Sequence, residues 1–136
     1  MGQQQLLLII LGVIVVGIAV AVGITMFSDS AINANRDALS NDLVNLASRA
    51  QQFYRRPTSL GGGGNSFALL TTTAITLLTN KPVNANGTYS IAVGGAGTGT
   101  SASLEIKGIG NELYNGSAVE VHVVVFADRD SMFTMN

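Results

Sequence analysis

Residues 6–27 read LLLIILGVIVVGIAVAVGITMF, an uncharged run of 22 residues near the start of a chain of 136. A hydrocarbon core about 30 Å thick requires roughly 20 apolar residues in an α-helix, so this run is long enough to cross a membrane. Only Met1, Gly2 and three glutamines precede it, without the Lys or Arg of a secretory n-region. We therefore expect either a processed product that has lost a basic leader or an anchor oriented by something other than charge.

After the apolar run the pattern becomes amphipathic. Apolar residues recur at the helical period at Ile32, Leu39, Leu43, Leu46, Ala50 and Phe53, with Val44, Ala47 and Tyr54 beside this stripe. Pro57 and the two preceding cations predict that the helix ends at Arg55 or Arg56. Ser28 or Asp29 would cap a separate second helix. We favour one continuous helix, about 80 Å long at 1.5 Å per residue.

The remainder of the chain, residues 57–136, predicts a small β-rich head. Four glycines at residues 61–64 allow the chain to turn back from the helix end. Residues 67–78 fit either a short helix or a strand, and we place a short helix or irregular turn there. Alternation predicts strands at 87–93, 102–109 and 118–126, and the tail adds a short edge strand through 132–135. The expected fold is therefore α+β.

Consecutive strands joined by short linkers predict an antiparallel meander that packs on the C-terminal half of the helix. We expect the helix to meet the sheet through Leu39, Leu43, Leu46, Ala50 and Phe53. The predicted apolar face of the sheet consists of Tyr89, Ile91, Val93, Leu104, Ile106, Val119, Val121, Val123 and Val125.

Composition argues against several functional classes. Seven basic and eight acidic residues give a net charge of −1, which provides no electrostatic footprint for nucleic acid. Cysteine is absent, so disulfides and thiolate metal sites are excluded. His122 is the only histidine, which makes a metal site improbable and favours a surface or interface role. Glu105, Glu112 and Glu120 are not spaced as a catalytic pair, and we expect neither an enzyme nor a cofactor.

Two sequons mark candidate glycosylation sites at Asn86 and Asn115. Each asparagine is followed by glycine, and Asn-Gly is a strong hairpin signal. We favour turns at both positions over modification.

The N-terminal segment MGQQQLLLIILGVIVVGIAVAVGITMF resembles the mature start of a type IV pilin-like subunit. The resemblance covers residues 1 to about 56 in pattern and the rest in the order of elements. It implies a precursor cut by a prepilin peptidase, held in the inner membrane and then extracted by the pilus assembly machinery into a helical filament. In such a filament the hydrophobic helices form the core and the sheets face outward.

The chain departs from the family pattern in three respects. Bacterial pilins usually carry glutamate at the fifth mature position, where this chain has Gln5, an amide that accepts hydrogen bonds but neutralises no charge. No proline lies near residue 22, and Gly12, Gly17 and Gly23 are the candidate sites of reduced helix preference. The C-terminal disulfide loop is missing. These departures indicate a divergent bacterial or archaeal branch, or a chain in which Met1 is an ordinary initiator.

We expect the major subunit of an extracellular filament, a homo-oligomer without nucleic-acid partners. Residues 1–27 are expected to span the membrane and then form the filament core, and residues 28–56 to carry the head. The pairs Gly17/Ala21 and Ala19/Gly23 allow helices to approach closely. The expected core positions are Gln5, Leu6, Leu8, Leu11, Gly12, Val15, Gly17, Ala19, Ala21, Gly23 and Phe27. The alternatives are a minor pilin of a secretion or DNA-uptake machine, or a monomeric membrane-anchored extracytoplasmic binding domain.

Overall fold

The computed structural model describes residues 2–92 and 102–135. Its elements are one α-helix, two short 3₁₀ turns and four β-strands. In chain order they are α1 Gly2–Arg55, the turns Thr58–Leu60 and Ala74–Leu77, β1 Gly87–Ile91, β2 Ser103–Tyr114, β3 Ser117–Phe126 and β4 Asp130–Thr134. The predicted α+β fold, one long helix packed by a small antiparallel sheet, is confirmed.

Helix α1 is continuous through Ser28 and Asp29, so the prediction of one helix is confirmed and a separate second helix is not formed. It ends at Arg55, as the following Pro57 predicts. The glycine tetrad then satisfies the last carbonyls of the helix. The amide of Gly63 donates to the carbonyl of Phe53 at 2.8 Å, and the amide of Gly64 donates to that of Arg56 at 2.9 Å.

The sheet is an antiparallel meander in the order β1-β2-β3-β4, as predicted. The tight turn between β2 and β3 consists of Asn115 at φ 51° and Gly116 at φ 81°. Two consecutive positive φ angles are the signature of a type I′ turn, which explains the Asn-Gly pair.

The predicted and observed strand bounds differ most at the end of β2. The strand predicted at 102–109 stops short, because β2 continues to Tyr114 after a register shift against β3 between Ile109 and Leu113. Residues 110–114 contain a glycine and polar residues, and 111–114 are exposed, so this end of β2 lacks the alternation of apolar and polar residues that predicts a strand. The edge strand β4 begins slightly earlier than predicted, and Val93 and the linker at 94–101 lie outside the described residues.

Residues 67–78 form turns and one 3₁₀ segment rather than a strand. Five apolar side chains of this segment are nevertheless buried in the core, namely Phe67, Leu70, Ala74, Ile75 and Leu78. The ring centroids of Phe67 and Tyr54 lie 4.7 Å apart, so this segment packs against the C-terminal end of α1, which we call its upper end. The apolar run therefore closes one side of the core without regular secondary structure.

The core lies between the C-terminal half of α1 and one face of β2 and β3. Leu39 and Leu43 of the helix are fully buried there. Every described residue of the predicted apolar sheet face is buried, and so are Leu46, Ala50 and Phe53. Val44, which the sequence placed beside the stripe, is 43% exposed and points away from the sheet. The head therefore covers one side of the helix only.

Candidate functional site

The most unusual surface of the molecule is the N-terminal half of α1, which nothing in the described chain covers. The buried residues of α1 begin at Ile32. On the N-terminal side of Ile32, which we call the lower half of α1, the most apolar 18-residue window has a mean hydropathy of 3.2 and is 0% buried. Soluble proteins rarely expose contiguous apolar patches larger than a few hundred Å². This helix half is therefore compatible with a membrane-spanning helix or an assembly helix.

Each residue predicted to form an assembly core lies on this uncovered half. All are exposed except Gly23, which is half-buried. These residues are Gln5, Leu6, Leu8, Leu11, Gly12, Val15, Gly17, Ala19, Ala21, Gly23 and Phe27. A Cβ atom added to Gly12, Gly17 or Gly23 would meet no atom within 4 Å, so the protomer itself has no packing need for these glycines.

By length and composition, α1 is the one helix of the described residues that could cross a membrane. Leu11 is 58% exposed and Phe27 is 82% exposed, so large side chains project on all sides. Such an all-round apolar helix is stable in lipid or inside a bundle of other helices. Its lower end carries Gln5, whose amide offers both donors and an acceptor to a neighbour.

A polar cluster joins the middle of α1 to β1. One oxygen of Asp42, Oδ2, accepts hydrogen bonds from the Tyr89 hydroxyl at 2.5 Å and from the side-chain amides of Asn84 and Asn86 at 2.9 Å each. Burial raises the pKa of Asp42, but the three hydrogen bonds outweigh it and hold this pKa below its usual value. Burial and the Asp42 carboxylate raise the pKa of Tyr89 far above its usual value, so the hydroxyl remains a donor.

A second polar cluster lies on the outer face of the sheet. His122 shares this face with Glu120, as the alternation predicts, but the residue is only 7% exposed and does not lie on the surface of the protomer. The alternative expectation, an interface role, stays a prediction. The ring nitrogen Nδ1 lies 2.6 Å from Glu105 Oε1, and the ring stacks on Phe133 with centroids 5.3 Å apart. The sequence pattern did not predict this contact, because Glu105 lies on the neighbouring strand β2, far from His122 along the chain.

Glu120 in the outer cluster pairs with Lys107 of β2, with Lys107 Nζ 2.7 Å from Glu120 Oε1. The hydrogen bond from Lys107 lowers the pKa of Glu120 more than partial burial raises it. The ion pair and the His122 contact connect β2 to β3 across the outer face. They consist of half-buried or buried groups already in contact with one another, which is the arrangement of a structural network. Among the described residues, no group of three or more His, Cys, Asp or Glu side chains could hold a metal ion.

The two sequon asparagines have different environments. The side-chain amide of Asn86 donates to Asp42, and its backbone amide donates to Asn84 Oδ1 at 2.9 Å. Asn115 is exposed at the tip of the β2–β3 hairpin. Both asparagines lie in turns, and the amide of Asn86 already has a structural partner.

No protein-family model, no curated protein and no solved structure matches this chain.

Proposed function

We propose that this chain is the structural subunit of an extracellular helical filament of the type IV pilus kind. The observation that carries the proposal is the division of one unbroken helix into two halves. The upper half is covered by the chain's own sheet, and the lower half is apolar and uncovered.

The uncovered half is suited first to lipid and then to copies of itself. In a membrane, helix association depends on packing and on small residues that let backbones approach, rather than on the hydrophobic effect. Gly17 and Ala21 provide such a position, and the open space around Gly17 in the protomer is available to a second helix. The amide of Gln5 supplies a polar contact near the lower end, where family members use a carboxylate.

The continuity of α1 favours a filament subunit over a simple anchor. An anchored binding domain needs a membrane span but no rigid connection from the span into its core. Here the same helix supplies Leu39 and Leu43 to the head, so the orientation of the head is fixed relative to the lower half. Fixed orientation is what repeated, identical contacts between subunits require.

The proposal includes an inner-membrane precursor, processing by a prepilin peptidase, assembly by pilus machinery and a cell-surface location. Adhesion, motility and surface attachment are roles that only analogy with the family suggests for the filament. A minor pilin of a secretion or DNA-uptake machine and a monomeric anchored domain are the competing functions.

Electron microscopy of filaments sheared from cells that produce this chain, with antibodies against the head, tests the proposal. We expect labelled filaments from the native chain. Gly17→Leu should abolish them while the subunit remains in the membrane, and Gly17→Ala should reduce them less, because the cost grows with the size of the intruding side chain. A labelled membrane protein that never forms filaments would contradict the proposal and favour the anchored domain.

A further inference from the structure

The exposed charges of the upper helix are separated along its length. Asp29 and Asp37 lie towards its lower end, and Arg49 and Arg56 lie at its upper end. At 1.5 Å per residue, the two acids are about 12 Å apart along the axis and the two arginines about 10 Å apart. The acidic and basic pairs therefore have similar spacing.

The two pairs also lie on different sides of the helix. We call Asp29, Asn33 and Asp37 the acidic face and use about 100° of rotation per residue. The side that carries Arg49 and Arg56 is then about 150° away from the acidic face. The buried stripe that contains Leu43 lies roughly 120° from the acidic face and roughly 90° from the basic side. One protomer thus presents Asp29 and Asp37 on one flank of its head and Arg49 and Arg56 on the other. Two further arginines lie on the acidic flank: Arg36 lines a cavity with Asp29, and Arg55 is on the side of Asp37 but at the upper end of the helix.

The basic side forms a groove between α1 and the segment at 77–81. Two adjoining cavities of about 160 and about 320 Å³ share Arg49, with Arg56 and Leu77 lining the first and Lys81 lining the second. We call this surface, with Arg49, Arg56 and Lys81, the basic groove.

The cations of the basic groove are positioned but not neutralised. Arg49 Nη1 donates to the carbonyl of Leu78 at 3.1 Å, which holds the guanidinium at the groove. Within the described residues, the side chains of Arg56 and Lys81 have neither a hydrogen bond nor an ion pair. Asp42 lies at the end of the groove, where its Oδ2 already accepts three hydrogen bonds. The groove therefore retains positive charge for a partner.

We propose that the basic groove of one copy docks the acidic face of a second copy, with the two helices parallel and staggered by about 20 residues, or about 30 Å. This stagger places Asp29 beside Arg49 and Asp37 beside Arg56. Arginine and carboxylate form strong, directional hydrogen bonds, which fixes the register between neighbours. The contact rests on the proposed filament function and specifies how its subunits interlock.

A second copy fits the groove better than a generic polyanion does. Asp29 and Asp37 have the right charge and nearly the right spacing, and they belong to the same chain. Arg36, which lines a cavity with Asp29, is half-buried and lies over the ring of Tyr114, so the two exposed carboxylates remain available to a partner. Because the two surfaces lie at different heights and on different sides, the contact is heterologous and does not close into a dimer. Repetition of such a contact produces an open helix.

Reciprocal charge reversal tests the contact in full-length chains expressed in cells. The variants are Asp37→Arg, Arg56→Asp and the double variant, and Asp128→Arg is the control because Asp128 is exposed outside both surfaces. The readout is the ratio of sheared filament to membrane-held subunit, measured by quantitative immunoblot. Each single reversal should lower this ratio about tenfold, because it removes the attraction of one ion pair and adds repulsion in its place. The double variant should recover to within about twofold of the native ratio, and the control should match it.

Native-like assembly of both single variants, or a double variant no better than either single one, overturns the contact while leaving the filament function intact. A polyanion site replaces the proposed contact if native filaments bind heparin and Arg56→Asp filaments form normally but no longer bind it. Absence of filaments from the native chain itself overturns the filament function together with the contact.

Discussion

The two halves of α1 share one backbone and differ in what covers them. Leu11 in the lower half is 58% exposed, and Leu43 in the upper half is fully buried. The lower half is apolar on every side, whereas the upper half is apolar on a single stripe that matches one sheet face. The distribution of apolar residues around the helix, rather than their number, distinguishes the surface that the head covers from the surface that the described chain leaves exposed.

The polar contacts of the two halves of α1 differ in the same way as their apolar contacts. Asp42 of the upper half is held by donors that lie 42 to 47 residues away in sequence. Asp29, near the boundary between the halves, is exposed and has no ion pair with another described residue. The upper half is thus fixed by the head in both its apolar and its polar contacts, and the following changes test that difference.

The largest expected effect comes from the matched pair Leu43→Ala and Leu11→Ala. Leu43→Ala should lower the free energy of unfolding of the head by about 2–5 kcal/mol, since it leaves a cavity in a packed core. Leu11→Ala should leave head unfolding unchanged, because Leu11 has no contact with the head. Urea titration of the full chain in mild detergent, followed by circular dichroism, measures both. Equal losses in the two variants would contradict the division of the helix.

Acid should destabilise the head through Asp42. Its pKa is lowered in the folded state, so its stabilising contribution is present above the unfolded value of about 4 and is lost as the pH falls below it. Asp42→Ala should cost about 1–3 kcal/mol at neutral pH, because three donors lose their acceptor. It should also make the decline below about pH 4 shallower.

Unfolding of the Asp42→Ala variant in urea between about pH 3 and 7 checks this expectation. Asp29→Ala is the control and should follow the native curve, since Asp29 is exposed. The pKa of Glu120 is also lowered, so in every variant the free energy of unfolding still falls with acid through this group. If Asp42→Ala leaves the loss of stability at low pH unchanged, other carboxylates dominate the acid dependence of the head.

The smallest effects are expected at glycines. Gly116→Ala should destabilise the head by about 1 kcal/mol, since Gly116 has φ 81° and an L-residue is strained there. Gly12→Ala should instead stabilise the helix of the unassembled subunit by up to about 1 kcal/mol, because alanine has the higher helix propensity and its Cβ meets no atom. Thermal melts in detergent distinguish the two signs, and a loss of helix stability in Gly12→Ala would contradict the uncovered state of this position.

Local patterns predicted most of the fold. The helical period of Leu39, Leu43 and Leu46 predicted the side of α1 that meets the sheet, and Asn115-Gly116 predicted the hairpin. The extension of β2 to Tyr114 was missed because pairing with β3 maintains a strand whose own residues lack a strand pattern. The burial of His122 was missed for a related reason, since Glu105 and Phe133 reach it from neighbouring strands.

The sequence by itself determined the length and uncharged character of residues 6–27, the single helix and the position of its end. These properties follow from composition, from a periodicity of a few residues and from the restriction imposed by Pro57. Only the tertiary structure decided which half of the helix the head covers, how Asp42 is held and where the basic groove lies. Those features depend on contacts between residues far apart in the chain, whose distances a linear pattern does not specify.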